Sequence, residues 1–269
     1  MAVTGFQAEI LRRIARSRIA GGETYVAGGL ALNHVLGGRR ISRDIDVFND
    51  TAEALRASVE EDTAELRSAG FEVRMTRETA TFSEATVSRG EETTAIQWAR
   101  DSAYRFFPLV EDELLGVTLH PFDLATNKLL ALAGRREPRD WVDAIRCHER
   151  VQGLGYLAWA ACGKDPGHSP GSLLEWAARV RYAQEELDLA VASEEPLDAA
   201  SLGRRWHGAV EEGRRTVALL PAEFAGSCVM DAGGGLFRGG EEELKSALSA
   251  GRLRFHKGAI RGAWPRVEG

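Results

Sequence analysis

The 269-residue chain is poor in cysteine and lysine and has no long apolar run. Its three cysteines are an odd number and lie far apart, so the sequence supports neither a disulfide framework nor a zinc site. No stretch approaches the roughly 18 apolar residues that a membrane-spanning helix needs. We therefore expect a protein of the reducing cytoplasm that has no membrane partner.

The charge balance also restricts the class of protein. A formal net charge of -6 argues against a wholly basic nucleic-acid binder, while 44% hydrophobic and 28% charged residues are typical of a globular protein. The sequence still allows a local basic surface, because arginines cluster near the N-terminus and after the second glycine pair. These clusters comprise Arg12, Arg13, Arg16 and Arg18, and Arg39, Arg40 and Arg43.

Residues 1–120 are predicted to form an α/β domain with a mixed sheet. The apolar spacing predicts a helix, a short strand, a second helix, another strand and a third helix, followed by several further strands. The predicted helices are 6–20, 30–36 and 51–69, and the predicted strands are 24–27, 44–48, 71–75, 79–89, 93–100 and 116–121.

Residues 121–269 are predicted to form a mainly helical domain with a small β-containing extension at its C-terminal end. The glycines at 233–235 indicate the turn of a hairpin. The predicted helices are 122–134, 138–152, 153–162, 171–191, 198–219 and 241–250. The fold class is therefore α/β, with a sheet domain followed by a helical one.

The stretch "DIDVF" places two carboxylates on one side of a strand. Side chains alternate along a strand, so Asp44 and Asp46 share one face while Ile45 and Val47 enter the core. Burying unpaired charges costs several kcal/mol each, roughly. A divalent cation such as Mg²⁺ is a natural partner, since it takes one or two protein carboxylates together with substrate phosphates.

A glycine pair precedes this strand by one short helix. Gly28 and Gly29 allow backbone N–H groups to approach a ligand closely, and a helix N-terminus directly after them favours an anion. This order predicts a phosphate-facing turn beside a metal-binding strand.

Two ordered segments resemble one known family, the AbiEii/AbiGii-like nucleotidyltransferases of the DNA polymerase β-type superfamily. The first segment is the glycine turn with the Arg-x-Ser-x-Asp-x-Asp pattern, and the second lies within "FDLATNKLLALAGRREPRDWVDAI". The matching residues of the first are Gly28, Gly29, Ala31, Leu32, Arg40, Ser42, Asp44, Asp46 and Phe48. Those of the second are Lys128, Arg135, Arg139, Asp140 and Asp143.

The resemblance implies a nucleotidyltransferase fold and roles for these positions. Asp44 and Asp46 would bind Mg²⁺ or Mn²⁺, and Lys128 would contact the triphosphate. Asp140 and Asp143 would act as further catalytic residues. The nucleotide-binding residues would be Gly28, Gly29, Arg40, Ser42, Lys128 and Arg135.

The resemblance also implies partners. The substrate would be an NTP, the acceptor an RNA such as tRNA, and the biological role that of a toxin with a cognate antitoxin. Two alternatives stay open: a small-molecule nucleotidyltransferase of the antibiotic-modifying kind, and a catalytically weak nucleotide-binding protein.

One position departs from the superfamily pattern. Polymerase β-type enzymes commonly carry a third carboxylate on a later strand, and the strand expected to supply it here is "TTAIQWAR". The residue in that place is Gln97, whose amide is neutral. This departure keeps the binding-only alternative open.

Overall fold

The computed structural model describes residues 3–265, and it describes the side chains of these residues except those of 16–21. The predicted contributions of Arg16, Arg18 and Ile19 therefore lie outside the described side chains. Within the described part of the chain, no helix is long and apolar enough to cross a membrane.

The chain divides into two compact units. The first comprises residues 1–103 and 109–120, and the second comprises 104–108 and 121–269. The short segment 104–108 therefore belongs to the second unit, although the chain reaches it before the end of the first.

The first unit is built on a mixed seven-stranded sheet. The strand order is β3-β4-β5-β2-β1-β8-β7, with β2 parallel to β5 and β1 parallel to β8. Its helices are α1 (Gly5–Gly21), α2 (Gly28–Val35) and α3 (Ala52–Ser68). Its strands are β1 (Thr24–Ala27), β2 (Asp44–Asn49), β3 (Glu72–Glu78), β4 (Phe82–Arg89), β5 (Glu92–Arg100), β7 (Val110–Asp112) and β8 (Gly116–Thr118).

Helix α3 packs against β2 and β5 on one face of this sheet. That face carries buried side chains such as Val47 and Trp98, and the Trp98 indole donates a hydrogen bond to the Asp62 carboxylate of α3 at 2.7 Å. The polar side chains of β2 therefore lie on the opposite face, as the alternation predicts.

The second unit is mainly helical, with two short strand pairs. Its helices are α4 (Pro121–Arg135), α5 (Pro138–Arg150), α6 (Leu154–Ala161), α7 (Pro170–Ala178), α8 (Gln184–Ala190), α9 (Ala199–Leu219) and α10 (Glu241–Ser249). Its strands are β6 (Tyr104–Arg105), β9 (Ser227–Asp231), β10 (Leu253–Lys257) and β11 (Ala259–Ile260), where β6 pairs with β11 and β9 with β10.

The apolar helix α6 lies at the centre of this unit. All of its residues are buried, and it crosses α9 where Gly155 meets the backbone of Gly213 so closely that a Cβ atom on Gly155 would overlap it. Tyr156 and Trp159 of α6 form a core cluster with Val229 of β9.

One helix prediction for this unit is wrong. The helix predicted over 171–191 is two helices, because the chain leaves the helical path between α7 and α8. There the Tyr182 ring packs against Trp141, and its hydroxyl donates to the carbonyl of Arg136. These tertiary contacts outweigh a helical periodicity that continues through the break.

The hairpin predicted around 233–235 is present in a short form. A turn is present, since the backbone of Asp231 bonds to Gly235 and Met230 bridges Leu236. The strand partner of β9 is, however, β10, which follows after α10. The glycines thus mark the turn of a short hairpin, while the longer strand pairing of β9 is with a segment that lies farther along the chain.

Candidate active site

The carboxylates of β2 lie on one face of the first unit's sheet. Asp44 and Asp46 are half-buried, whereas the intervening Ile45 and the following Val47 are fully buried on the other side. Asp46 pairs in register with Ala27 of β1, the residue directly before α2. The strand register therefore brings Asp46 to the start of that helix.

Gly28 has the backbone conformation that the glycine turn requires. Its φ is 68°, in the left-handed region that favours glycine, and a Cβ atom there would overlap the Asp46 carboxylate. The predicted turn and the predicted metal-binding strand thus meet directly, and any side chain at position 28 would displace the carboxylate.

Gly29 is in close contact with a buried arginine. A Cβ atom on Gly29 would overlap the guanidinium of Arg40, and the Ser42 hydroxyl lies beside the same position. Both Arg40 and Ser42 are buried. Their place is therefore behind the glycine turn, where Arg40 adds positive charge to the start of α2.

The neutral residue anticipated from the sequence lies beside the carboxylate pair. Gln97 of β5 pairs in register with Asp46, and on its other side it pairs with Glu84 of β4. The Gln97 amide nitrogen donates to the Glu84 carboxylate at 3.1 Å. Sequence reasoning missed Glu84, although the strand alternation and the short turn between β4 and β5 could have identified it.

The carboxylates of β2 fit a divalent cation that takes its remaining ligands from a substrate. Asp44 and Asp46 offer hard oxygen atoms on one face, and Mg²⁺ needs only one or two protein carboxylates when phosphates complete its shell. In the described part of the chain, no group of three or more His, Cys, Asp or Glu residues could hold a metal ion. A cage made only of protein carboxylates does not fit there.

The second unit contains a buried charged cluster around Lys128. The Lys128 ammonium donates to Asp140 at 2.9 Å and lies 3.2 Å from an oxygen of Asp143. Lys128 is 7% exposed, and both carboxylates are fully buried. Arg135, whose side chain is half-exposed, donates two hydrogen bonds to Asp140 at 2.6 and 3.0 Å.

The cluster has a strong electrostatic effect on Asp140. Burial by itself would raise the pKa of this carboxyl, but the hydrogen bonds and charges of Arg135 and Lys128 outweigh burial and lower the pKa to about 2. Asp140 is consequently ionised at neutral pH and binds both the Lys128 ammonium and the Arg135 guanidinium. The structure brings together Lys128, Arg135, Asp140 and Asp143, the four residues of this segment to which the resemblance gives a role.

A second buried lysine was not assigned a site from the sequence. The Lys164 ammonium lies 2.7 Å from the buried Asp123 carboxylate and donates to the Asn127 amide oxygen at 2.7 Å. The scarcity of lysine in the chain was a signal that could have directed attention to it.

A glycine turn against a two-carboxylate strand in a mixed sheet is the arrangement expected of a nucleotidyltransferase. Similarity to known proteins also identifies the family of the chain. Residues 9–162, more than half of the chain, match the family model described as the AbiEii nucleotidyl transferase toxin of a type IV toxin–antitoxin system. The chain belongs to this family and is a nucleotidyltransferase. Family membership implies a nucleotide substrate and an antitoxin partner.

Solved structures support the same fold. The chain resembles MenT4, a nucleotidyltransferase toxin from Mycobacterium tuberculosis H37Rv, with 15% identity, a TM-score of 0.52 and 91% of each chain covered. It also resembles JHP933 from Helicobacter pylori, with 14% identity and a TM-score of 0.53, over 78% of this chain and 91% of that one. The chain matches none of the curated proteins.

Proposed function

We propose that this toxin transfers a nucleoside monophosphate from an NTP to an RNA acceptor, with tRNA as the acceptor class, in a reaction that depends on Mg²⁺ or Mn²⁺. The observation that carries the proposal is the contact between the Gly28 backbone and the Asp46 carboxylate. An acceptor oxygen attacks the α-phosphorus, the bond to the β-phosphate breaks, and pyrophosphate leaves.

Asp44 and Asp46 hold the cation in this proposal. They are half-buried on one face, so they are accessible to a ligand while the strand fixes their spacing. When bound, the cation would supply positive charge that stabilises the triphosphate and the leaving pyrophosphate. Catalysis by these residues consists mainly of positioning and electrostatic stabilisation.

Gly28 and Gly29 receive the phosphates. The start of α2 provides backbone N–H groups without helical partners, together with the positive end of the helix dipole. Arg40 and Ser42, buried behind Gly29, support this turn, and the Arg40 charge favours an anion in front of it.

The second unit contributes the positively charged ammonium group of Lys128. Two carboxylates fix its ammonium, so the group is already oriented before any substrate arrives. We assign Lys128 to the triphosphate, Asp140 and Asp143 to the orientation of Lys128, and Arg135 to the support of Asp140.

The RNA acceptor is supported by exposed arginines of the first unit. Arg12, Arg13, Arg39 and Arg43 are exposed in a protein whose net charge is negative, and exposed guanidinium groups bind phosphates. An acceptor with many phosphates explains these side chains better than a small antibiotic does.

The test is transfer of label from α-labelled NTPs to total tRNA in the presence of Mg²⁺. We expect labelled RNA with the wild type and with Glu92→Ala, which removes an exposed acid elsewhere in the same sheet. Asp46→Ala should lose at least about 100-fold in rate, since it removes transition-state stabilisation. In cells, the same substitution should relieve growth arrest.

Other results would favour the alternatives. Label on an aminoglycoside-type acceptor and none on RNA would favour a small-molecule enzyme. NTP that raises the melting temperature without being consumed would favour a binding protein. Growth arrest by Asp46→Ala equal to that of the wild type would contradict the toxin mechanism.

A further inference from the structure

Three polar residues form a row across adjacent strands of the first unit's sheet. Gln97 of β5 lies in register between Asp46 of β2 and Glu84 of β4. All three are half-buried, and the residues beside them in each strand are buried on the opposite face. Their side chains therefore leave the sheet on the same side.

The hydrogen bond between Gln97 and Glu84 fixes the orientation of the amide. The 3.1 Å contact joins the Gln97 side chain to a carboxylate oxygen of Glu84. An ionised carboxylate only accepts hydrogen bonds, so the amide atom that faces it must be the nitrogen. The amide oxygen is left as the atom that Gln97 can offer to other groups.

This orientation matters because Asp46 is the neighbour on the other side. An amide nitrogen would donate to the Asp46 carboxylate and occupy an oxygen that a cation needs. An amide oxygen is instead a hard ligand of the kind that Mg²⁺ and Ca²⁺ accept from proteins. The partner on β4 thus decides which of the two atoms is available beside the carboxylate pair.

From this geometry we infer that Glu84 is a positioning residue, which holds Gln97 so that its amide oxygen serves the cation site of Asp44 and Asp46. Gln97 then takes the place of a third carboxylate as a neutral oxygen ligand. The inference rests on the proposed function, since it assumes a cation at this face. It assigns a role to two residues outside the two family segments.

The experiment measures Mn²⁺ binding to the full chain with a non-hydrolysable NTP analogue, by electron paramagnetic resonance. Gln97→Met keeps the length of the side chain but removes the oxygen, and Glu84→Ala removes the group that orients it. We expect Glu84→Ala to raise the Mn²⁺ dissociation constant about 10-fold, the lower end of the effect of losing an outer-shell partner, and Gln97→Met, which loses the ligand atom itself, to raise it by at least as much. Glu92→Ala, an exposed acid on the same strand as Gln97, should leave it unchanged.

The double variant tests whether Glu84 acts through Gln97. If it does, Gln97→Met with Glu84→Ala should bind Mn²⁺ as weakly as Gln97→Met alone, because the second change removes nothing further. Two independent losses that multiply would overturn the inference, as would unchanged binding in Gln97→Met. Thermal melts of each variant identify any loss of binding that is due to unfolding, and Glu84→Met, which keeps the length of the side chain but has no oxygen to accept from Gln97, replaces Glu84→Ala in that case.

The same titration separates this inference from the proposed function. Asp46→Ala should abolish Mn²⁺ binding if the carboxylate pair holds the cation. Full Mn²⁺ binding by Asp46→Ala would contradict the proposed site itself. Loss of binding by Asp46→Ala with wild-type binding by both Gln97→Met and Glu84→Ala would contradict only the role given to the amide.

Discussion

The two buried lysines of the second unit have similar burial but different surroundings. Lys128 and Lys164 are 7% and 8% exposed, and each ammonium is within 3 Å of a fully buried aspartate. Lys128 shares its cluster with a second aspartate and a half-exposed arginine. Lys164 is held by one aspartate and by the Asn127 amide.

The partner of Lys164 has a clear structural task. The two oxygens of Asp123 accept hydrogen bonds from the backbone N–H groups of Phe106 and Phe107 at 2.8 and 3.0 Å. The Lys164–Asp123 pair therefore attaches the segment 104–108 to α4 within the second unit.

The partners of Lys128 extend to the surface. Asp140 links the buried ammonium to the half-exposed Arg135, so the positive charge of the cluster reaches solvent. A buried lysine–aspartate pair is therefore not by itself a sign of function. Two features distinguish the Lys128 pair from the Lys164 pair: its connection to the surface through Arg135, and its place in the family pattern.

The largest expected effect is on stability, at the structural lysine. Lys164→Ala would leave Asp123 buried without its cation, which should lower the free energy of unfolding by about 3–5 kcal/mol. Urea denaturation measures the change. Lys245→Ala, at an exposed lysine of α10, should change it little. Equal stability of the two variants would contradict the role of Lys164.

The next effect is on catalysis, at the other lysine. Lys128→Arg keeps the positive charge, but a planar guanidinium cannot reproduce the point contact between Asp140 and Asp143. We expect label transfer to fall about 100-fold. The matched change Lys164→Arg should leave transfer near wild type when assayed below its melting temperature. A similar loss of transfer in both variants would remove the distinction between the lysines.

Acid should weaken the Lys128 cluster through Asp140. The folded pKa of about 2 lies below the ordinary 3.8, so the stabilisation is present above pH 3.8 and is lost as the pH falls through 2. The contribution is about 2 kcal/mol. Urea denaturation at several pH values should show this loss in the wild type and not in Asp140→Asn. Identical pH profiles would refute the assignment.

The smallest expected effect is on stability, at Arg135, the half-exposed member of the Lys128 cluster. Arg135→Lys removes one of two paired hydrogen bonds to Asp140, but the side chain is half-exposed and partly screened. We expect a loss of about 1 kcal/mol or less, with the acid midpoint of unfolding displaced to higher pH. A loss as large as that of Lys164→Ala would mean that Arg135 is as essential to the fold as the structural lysine.

Local pattern predicted much of the fold and part of the candidate site. The alternation in "DIDVF" placed Asp44 and Asp46 on one face, and the proline at 138 correctly indicated the start of α5. The same kind of reasoning failed between α7 and α8, where Tyr182 leaves the helical path for contacts with Trp141 and Arg136. Periodicity carries no information about such distant partners.

In the candidate site, the row of Asp46, Gln97 and Glu84 likewise includes a pairing that local pattern does not predict. The turn at Gly90 and Glu91 fixes the register of β4 with β5, so counting back from it gives the pair of Glu84 with Gln97. The parallel neighbour of β5 is β2, and the chain between them includes α3, β3 and β4. No local signal sets that distant pairing.

The sequence by itself determined the candidate site residues: Gly28, Asp44, Asp46 and Lys128 are recognisable by type and spacing, because glycine freedom and strand and helix periods are local properties. Only the tertiary structure decided the neighbours of these residues. It brought Gly28 against Asp46, enclosed Lys128 between two carboxylates, and set Glu84 to orient Gln97. These contacts depend on strand order and helix packing, which join residues that are distant in the chain.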